Sequence, residues 1–377
     1  MAFTRRDFIV RSAAAAVAAY PSANLAAKPK LSTGWYRNAI VIDGLSSLYD
    51  PYAPEDQMRL SDRVTAELKS TGVSAINITV GNVGNGEGLM DEMLKQLKQY
   101  SAAIAANPDF LMSVRTADDI AKAKKTGHLG LVYGTQDTSM IGTSLDRIAE
   151  LKAKDVRIVQ LTYNVRNLSG DGALEPANAG LSRLGIKTIA RIESEKLLLD
   201  LSHGGARTMA EAISVAARPL SINHTGCRDV HDNPRNTYDT TLRALADKGG
   251  VAGIYFMPFL APNSKPTRDD LIRHIEHAVN VCGEDHVSLG TDGNQLPIPI
   301  NDETWKRAKE GYAFRSANGF AAPGEGPDIL TLVMEYNALD RFQKLTDDLA
   351  ARRWPEAKLD KLLGGNLMRL YREVWGS

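Results

Sequence analysis

Cysteine is scarce in this chain of 377 residues, which contains only Cys227 and Cys282. Two cysteines far apart in sequence make neither a disulfide framework nor, by themselves, a zinc site. Cys227 follows His224 by three residues and could approach a metal bound there. The interpretation as a small buried residue is nevertheless favoured, because free cysteine is among the most buried residue types.

Net charge is also absent, since 45 Lys and Arg residues balance 45 Asp and Glu residues. The sequence has no dense cluster of Lys and Arg, so nothing steers the chain toward nucleic acid or an anionic surface. The hydrophobic fraction of 43% and the charged fraction of 24% are those of a soluble globular protein. We therefore expect a packed globular domain that does not bind nucleic acid.

No hydrophobic run in the sequence is long enough for a transmembrane helix, which needs about 20 apolar residues. The longest alanine-rich stretch, over residues 12–20, follows the pair Arg5-Arg6. This pattern resembles a twin-arginine export signal over residues 1–27, and the alternative is an amphipathic N-terminal helix. We predict export to the periplasm, a single domain over residues 28–377, and no transmembrane segment once the signal is removed.

Eight short apolar runs after the leader are typical of buried β-strands. They are rich in Val, Ile and Leu and do not alternate with polar residues, as expected for parallel strands covered on both faces. The predicted strands span residues 39–43, 73–80, 128–133, 156–162, 197–202, 219–223, 251–256 and 286–291.

Helical patterns separate these strands. Apolar residues recur at helical spacing in five segments: SDRVTAELKSTG, SLDRIAELKAKD, LSRLGIKTIARIESEK, TTLRALADKGG and DDLIRHIEHAVNVCGED. Eight strands that alternate with helices predict an α/β protein with a (β/α)8 TIM-type barrel. The alternative is an open doubly wound sheet, but no G-x-G-x-x-G follows the first strand.

Two further segments lie outside this repeat. Residues 300–330 are rich in Pro, Gly and Asn and predict a long surface excursion. The C-terminal LDKLLGGNLMRLYREVWGS predicts a helix, a break at the two glycines, and a second helix that packs back on the barrel.

Two neighbouring predicted strands end on histidine, namely His203 after LLLDLS and His224 after PLSIN, and Asp292 follows the last strand. Catalytic residues of such barrels lie at the carboxyl ends of the strands. Neutral imidazole is a common metal ligand, and a nearby carboxylate can complete the site or move a proton. Each histidine alone could instead be a hydrogen-bonding cap. The three together predict a catalytic or metal site.

Several motifs occur in an order that resembles a known family. LLLDLSHGG, INHTGCRDVHDNPRN, HIEHAVNVCGEDHVSLGTDGN and LLGGNLMRLYREVW are similar to segments of the membrane (renal) dipeptidase family, the M19 metallopeptidases. The resemblance implies a metallo-dependent hydrolase barrel with a two-zinc centre that hydrolyses dipeptides, and it allows for a homodimer. In that family a bridging hydroxide attacks a carbonyl that the metals polarise.

The resemblance also implies roles for individual residues. His203 and His224 match two histidine ligands of one zinc ion. Asp292 matches the carboxylate that transfers the proton and meets the substrate amine. Arg235, in NPRN, matches the arginine that holds the polar end of the substrate, and its fixed fork of donors suits a carboxylate or an oxyanion.

The other half of the family's metal centre is replaced in this chain. The first strand of the family ends in Asp-Gly-His-x-Asp, whereas Leu45 and Ser47 stand at the two ligand positions here. Gln136 replaces the bridging glutamate, and we expect it to contact substrate instead. Tyr163 replaces a histidine that assists the tetrahedral intermediate, and its phenol can still donate a hydrogen bond.

Three hypotheses about function follow. The favoured one is a dipeptidase-like hydrolase of a dipeptide or small amide, with one zinc ion on His203, His224 and an oxygen of Asp292 or Gln136. The second is an enzyme without metal, in which Asp292, Tyr163 and His224 perform acid–base chemistry on an exported peptide-like metabolite. The third is a binding protein without catalytic activity on the same scaffold.

Overall fold

Parallel strands form the centre of the structure, a computed structural model that describes residues 31–53, 58–84 and 86–376. The predicted export signal over residues 1–27 lies outside the described residues, so export stays a prediction. No helix in the described part of the chain is long and apolar enough to cross a membrane.

The described residues contain ten strands. Eight of them pair in the order β1–β2–β4–β5–β6–β7–β8–β9, and β10, which follows β9 along the chain, pairs with β1 and closes the ring. The strands are β1 (Ile42–Ser47), β2 (Ala75–Thr79), β3 (Leu111–Ser113), β4 (Leu129–Thr135), β5 (Val156–Gln160), β6 (Leu198–Asp200), β7 (Ser221–Thr225), β8 (Val251–Ile254), β9 (Val287–Leu289) and β10 (Gly293–Asn294). The predicted barrel and its eight strands are confirmed.

Helices surround the barrel, and α2, α4, α6, α9 and α10 each begin after a residue whose side chain caps them. Ser61 accepts a hydrogen bond from the first turn of α2, and Gly72 ends that helix at a φ of 72°. The helices are α1 (Trp35–Asn38), α2 (Asp62–Thr71), α3 (Leu89–Ala106), α4 (Ala117–Thr126), α5 (Asp146–Ala153), α6 (Arg183–Ser194), α7 (Ala206–Val215), α8 (Asp239–Asp247), α9 (Arg268–Cys282), α10 (Asp302–Ala317), α11 (Arg341–Ala351), α12 (Glu356–Asp360) and α13 (Asn366–Trp375).

Two expectations about the C-terminal third need correction. The predicted excursion over residues 300–330 contains the regular helix α10, which Asn301 caps. The predicted break at Gly364 and Gly365 is wrong, because Lys361–Gly365 forms a π-helical turn that leads from α12 into α13. A Cβ on Gly364 would lie 2.4 Å from the carbonyl oxygen of Ile40, so glycine serves close packing there.

Helix α13 closes the amino-terminal end of the barrel. Its residues Leu370 and Val374 are 0% and 1% exposed. They belong to one apolar cluster with Ile42 and Val251, the first residues of β1 and β8. The opposite, carboxyl-terminal end of the barrel is left for polar side chains.

We predict that Leu370→Ala destabilises the protein by roughly 2–5 kcal/mol, because it removes a buried side chain that the barrel end cannot replace. The exposed neighbour Glu373 provides the matched control, Glu373→Ala, which should change the free energy of unfolding by about 0.5 kcal/mol or less. Denaturant unfolding of both variants measures the difference. Equal stabilities would contradict the assignment of α13 as part of the core.

Candidate active site

The residues predicted to form the site gather at the carboxyl end of the barrel. His203 follows β6, His224 lies in β7, and Asp292 lies between β9 and β10. Both His203 and Asp292 adopt left-handed backbone conformations, with φ of 63° and 56°. Such conformations are uncommon for residues other than glycine and concentrate at functional sites.

The two histidines form a buried pair. Their ring centroids lie 4.8 Å apart at an interplanar angle of 62°. The Nδ1 atom of His203 lies 2.6 Å from the side-chain oxygen of Asn164, and the Nδ1 atom of His224 lies 2.5 Å from the side-chain oxygen of Asn223. Because an amide oxygen only accepts, each Nδ1 carries the hydrogen and each Nε2 keeps a lone pair.

Both Nε2 atoms are buried and have no hydrogen-bond partner among the described residues. Burial lowers the pKa of both imidazoles well below the usual value, and the positive charge of Arg235 lowers it further. At neutral pH the pair therefore presents two neutral nitrogen acceptors. Sequence reasoning did not identify Asn164 and Asn223, which fix the orientation of the pair.

A bulge in β7 directs His224 into the barrel. The pairing of β7 with β8 shifts register between Ile222 and Thr225. The carbonyl oxygen of Asn223 consequently points inward, and a Cβ on Gly253 or on Gly290 would lie 2.0 Å from it. Glycine in β8 and just after β9 is what makes room for this bulge.

A single buried carboxylate joins the strand ends that carry the two histidines. Asp200, the last residue of β6, accepts hydrogen bonds from the backbone N–H of Ser202 at 2.9 Å and of Asn223 at 2.7 Å, and from the hydroxyl of Ser221 at 2.6 Å. Ser202 and Asn223 directly precede His203 and His224. The hydroxyl of Ser202 also accepts from the backbone N–H of His224 at 3.1 Å.

Asp43 holds the short connection between β9 and β10, which carries Asp292, in a similar way. It accepts from the backbone N–H and the hydroxyl of Thr291 at 2.7 and 2.6 Å, and from the side-chain amide of Gln295 at 2.7 Å. Burial raises the pKa of Asp43 to about 6. These contacts indicate that Asp43 positions Thr291 and Gln295 on either side of the Asp292 connection.

Asp292 is the titratable group of the site. Desolvation raises the pKa of its carboxyl to about 7; the positive charge of Arg235 opposes this shift, and the negative charge of Asp43 adds to it. A carboxyl that titrates near neutral pH can both take up and release a proton under physiological conditions.

Arg235 and Tyr163 supply donors beside the histidines. Arg235 is 3% exposed, and its Nη2 has no partner in the part of the chain that the structure describes. The ring of Tyr163 stacks on that of His203, with centroids 4.0 Å apart. Burial raises the pKa of Tyr163 to about 12, so its hydroxyl keeps its proton at neutral pH.

On the opposite side of the site, Leu45, Ser47 and Gln136 stand at the positions where the resemblance implies further metal ligands. Leu45 is buried, and the hydroxyl of Ser47 donates to the carbonyl oxygen of Gly293 at 3.3 Å. The side-chain nitrogen of Gln136 donates to the hydroxyl of Thr79 at 2.7 Å. Within residues 31–53, 58–84 and 86–376, no group of three or more His, Cys, Asp or Glu side chains could hold a metal ion.

Cys227 lies apart from the histidine pair. It is buried, and its thiol donates to the carbonyl oxygen of His274 on α9 at 3.4 Å. The interpretation as a small buried residue is confirmed. Cys282 is likewise a buried free thiol.

His203 and His224 are therefore the residues of this site that could hold a metal ion. Two neutral imidazoles whose Nδ1 hydrogens are held by amide oxygens, and whose Nε2 lone pairs are free, have the arrangement that is usual for histidine ligands of a metal. Leu45, Ser47 and Gln136 provide no imidazole or carboxylate for a second ion.

We predict that Asp200→Asn destabilises the protein by about 1–3 kcal/mol, because the amide nitrogen would face a buried donor and leave it unpaired. The imidazole signals of His203 and His224 in nitrogen-15 NMR spectra should both shift. Asp247→Asn, at an exposed position on α8, is the matched control. Unchanged histidine signals in the Asp200 variant would contradict its positioning role.

We predict that Asp292→Asn stabilises the metal-free protein at pH 8 more than at pH 5. The folded pKa of Asp292, about 7, lies above its unfolded value of about 3.9, so ionisation weakens the folded state as pH rises between these values. Each unit corresponds to about 1.4 kcal/mol, so the difference of about three units predicts a gain on the order of 4 kcal/mol at pH 8, compared with about 1.5 kcal/mol at pH 5.

Thermal unfolding in the presence of a chelator, over pH 4.5 to 8.5, measures this effect. Asp247→Asn again serves as control, and its stability relative to the wild type should not vary with pH in the same way. If the stability difference between Asp292→Asn and the wild type stayed constant across this pH range, ionisation of Asp292 would not destabilise the folded protein.

Comparison with known proteins identifies relatives in sequence and in fold. Dipeptidase verJ of Clonostachys rogersoniana is 27% identical over 201 residues, which are 53% of this chain and 52% of that protein, so the chain spans about half the length of this relative. An amidohydrolase from Pseudomonas aeruginosa has 27% identity and a TM-score of 0.78, with 92% of this chain and 99% of that chain covered.

A metallo peptidase from Rhodobacter sphaeroides, solved with a phosphinate mimic of the dipeptide L-Ala-D-Ala, shares the fold at 18% identity and a TM-score of 0.73, with 89% of this chain and 100% of that chain covered. Residues 56–303 match the profile of the family described as membrane dipeptidase (Peptidase family M19). This match covers well over half of the chain. The chain therefore belongs to the membrane dipeptidase family, M19.

Proposed function

We propose that the protein hydrolyses the amide bond of a dipeptide or a small amide at a centre with one metal ion, held by His203 and His224. The observation that carries this proposal is the pair of buried, neutral Nε2 atoms without partners among the described residues. The unpartnered Nη2 of Arg235 and the titratable carboxyl of Asp292 accompany the pair. Family membership and the name of dipeptidase verJ support the same reaction class.

A zinc ion on these two nitrogens would polarise the scissile carbonyl and lower the pKa of a bound water. The protein groups supply the remaining functions. Arg235 binds the carboxylate of the substrate through its free guanidinium nitrogen. Tyr163, whose hydroxyl stays protonated, donates a hydrogen bond to the oxygen on which negative charge develops.

Asp292 moves the proton. Its carboxylate accepts a proton from the attacking water, and the resulting carboxylic acid gives that proton to the departing amine. A pKa of about 7 suits both steps, because neither protonation state is strongly favoured at neutral pH. In its ionised form Asp292 also attracts the ammonium group of a dipeptide.

The reduced centre limits the range of substrates. One metal ion activates a carbonyl less than two do, so we expect slower cleavage of simple dipeptides than of more labile amides.

A specific observation favours an enzyme without metal as the second candidate. The charge of Arg235, which lowers the pKa of both imidazoles, also disfavours a cation between them.

We further propose that the protein acts after export to the periplasm, on the pattern of residues 1–27. Its partner is then a small peptide-like substrate in that compartment. Homodimer formation and the absence of a nucleic-acid partner remain predictions from the sequence.

Metal analysis tests the proposal. Mass spectrometry of protein purified without chelators or metal-affinity columns should find about one zinc per chain. Replacing both site histidines, in His203→Ala/His224→Ala, should abolish zinc binding and hydrolysis together. The matched control is His128→Ala/His286→Ala, because these histidines lie next to the amino ends of β4 and β9, away from the site.

Other outcomes separate the alternatives. Absence of metal, with turnover that survives exhaustive chelation, would establish the enzyme without metal. Absence of turnover on dipeptide and amide libraries, even with zinc bound, would leave a binding protein. Equal metal contents in the two double variants would overturn the assignment of His203 and His224.

A further inference from the structure

The histidine pair is closed off from solvent, whereas Asp292 is reached by a cleft. His203 and His224 are 5% and 0% exposed, and Arg235 is 3% exposed. A cleft of about 310 Å³ lies between the carboxyl end of the barrel and α10, and Asp292 and Ser47 line it. Neither histidine lines this cleft. Entry of a metal ion or a substrate to the histidines therefore requires a part of the protein to move.

A segment that follows α10 covers the histidine side of the site. We call this segment, residues 319–326, the strap. The ring of its Phe320 meets the ring of Tyr163 edge to face, with centroids 5.8 Å apart, and Tyr163 in turn stacks on His203. A Cβ on Gly84, in the loop after β2, would lie 2.5 Å from Cζ of Phe320. The buried ring of Phe320 therefore fills the space between this loop and Tyr163.

Asn164 joins the strap to the first histidine of the pair. Its Nδ2 donates to the carbonyl oxygen of Phe320 at 2.6 Å, and its Oδ1 accepts from Nδ1 of His203 at 2.6 Å. An amide holds its donor and its acceptor in one plane, so the strap carbonyl fixes the direction of the oxygen that His203 meets. Asn164 thus connects the position of the strap to the orientation of the imidazole.

Asn233 makes the same kind of connection on the other flank. Its Nδ2 donates to the carbonyl oxygen of Pro323 in the strap at 2.6 Å, and its Oδ1 accepts from the backbone N–H of Arg235 at 2.9 Å. Asn233 is also buried. The strap therefore contacts the backbone that carries the arginine as well as the support of the histidine.

The strap is held in place from α10. Arg315, in the last turn of α10, donates to Glu325 at 2.5 Å, and its backbone carbonyl oxygen accepts from the N–H of Phe320 at 2.8 Å. Glu325 also accepts from the N–H of Ala322 at 2.9 Å. All 16 residues of α10 are described, and none of them is buried. Helix α10 and the strap can therefore move away without opening the core of the barrel.

We propose that the strap is a gate over the histidine pair, and that its closure positions His203 and Arg235 through Asn164 and Asn233. In the open state, a metal ion or a substrate reaches the histidines. In the closed state, the Nδ1 hydrogen of His203 is held and its Nε2 is directed into the site. The role of the gate in catalysis rests on the proposed function, but access to the histidines can be measured without metal and without turnover.

Chemical modification tests the gate in the full-length protein, after a chelator has removed any bound metal. Diethyl pyrocarbonate acylates accessible, unprotonated imidazole nitrogens, and mass spectrometry gives the rate at each histidine. Phe320→Ala removes the ring that covers the site and should raise the rates at His203 and His224 by about tenfold or more. His274, which is buried on α9, reports on general unfolding, and its rate should stay at the wild-type value.

Phe314→Ala is the matched control, because Phe314 is exposed on α10. It should leave all three rates unchanged. Glu325→Gln is a second test variant, which weakens the ion pair that anchors the strap and keeps the aromatic ring in place. A rise that is selective for the two site histidines in either test variant supports the gate. No rise in either variant, or an equal rise at His274, would overturn it.

Nitrogen-15 NMR tests the connection between the strap and His203. Asn164→Ala removes the acceptor at Nδ1, so the imidazole signals of His203 should move toward those of mixed tautomers. Asn280→Ala, at an exposed position on α9, is the control and should leave them unchanged. Phe320→Ala should shift the same signals in the same direction, because an open strap no longer orients Asn164. A shift in Asn164→Ala alone, or in neither variant, would overturn the positioning role of the strap.

Cobalt(II) uptake relates the gate to the proposed metal centre. The absorbance of bound cobalt should appear about tenfold faster or more in Phe320→Ala than in the wild type, and at the wild-type rate in Phe314→Ala. Equal uptake rates in the two variants would contradict the gate. If the protein binds neither cobalt nor zinc, the proposed metal centre fails, and the modification rates still decide whether the strap is a gate.

Discussion

The site depends on one buried carboxylate that holds two strand ends together. Asp200 accepts hydrogen bonds from the backbone on both sides of the gap between β6 and β7, one residue before each histidine. His203 needs support because of its left-handed backbone, and His224 because it lies in a bulge. Burial raises the pKa of Asp200 to about 6, so its ionisation is unfavourable in itself. Hydrogen bonds from three donors offset this cost, and they fix the positions of the two strand ends.

Charge in the site is arranged around this frame. Arg235 is a buried cation beside two imidazoles that burial keeps neutral, and Asp292 is the acid that can balance it. When Asp292 is ionised, Arg235, the two imidazoles and Asp292 together carry no net charge. When Asp292 is protonated, the positive charge of Arg235 is unbalanced. In the proposed enzyme, binding of a cation by the histidines is therefore coupled to the protonation state of Asp292, and a substrate that brings both an ammonium and a carboxylate group matches Asp292 and Arg235.

The sequence was sufficient for the barrel and for the histidine pair, because both depend on local patterns. Unbroken runs of Val, Ile and Leu predicted the eight barrel strands, whereas β3 and β10 are only three and two residues long and carry little signal. The residues of the site that the sequence did not predict owe their roles to long-range contacts. Asn164 and Asn223 are ordinary polar residues until the fold places them at imidazole nitrogens. Asp200 could have been noticed, since a charged residue inside an apolar run needs buried partners.

The replaced half of the metal centre and the adjoining cleft are connected in space. Ser47, at a position where the resemblance implies a metal ligand, lines the cleft, and its hydroxyl donates to the barrel backbone. The side of the site that would hold a second ion is thus continuous with a space that polar, charged and apolar side chains line together. In the proposed enzyme, a part of the substrate away from the reacting bond can bind in this space. Binding energy of that kind can orient the amide toward Asp292 and the histidine pair, which compensates for the weaker activation by a single metal ion.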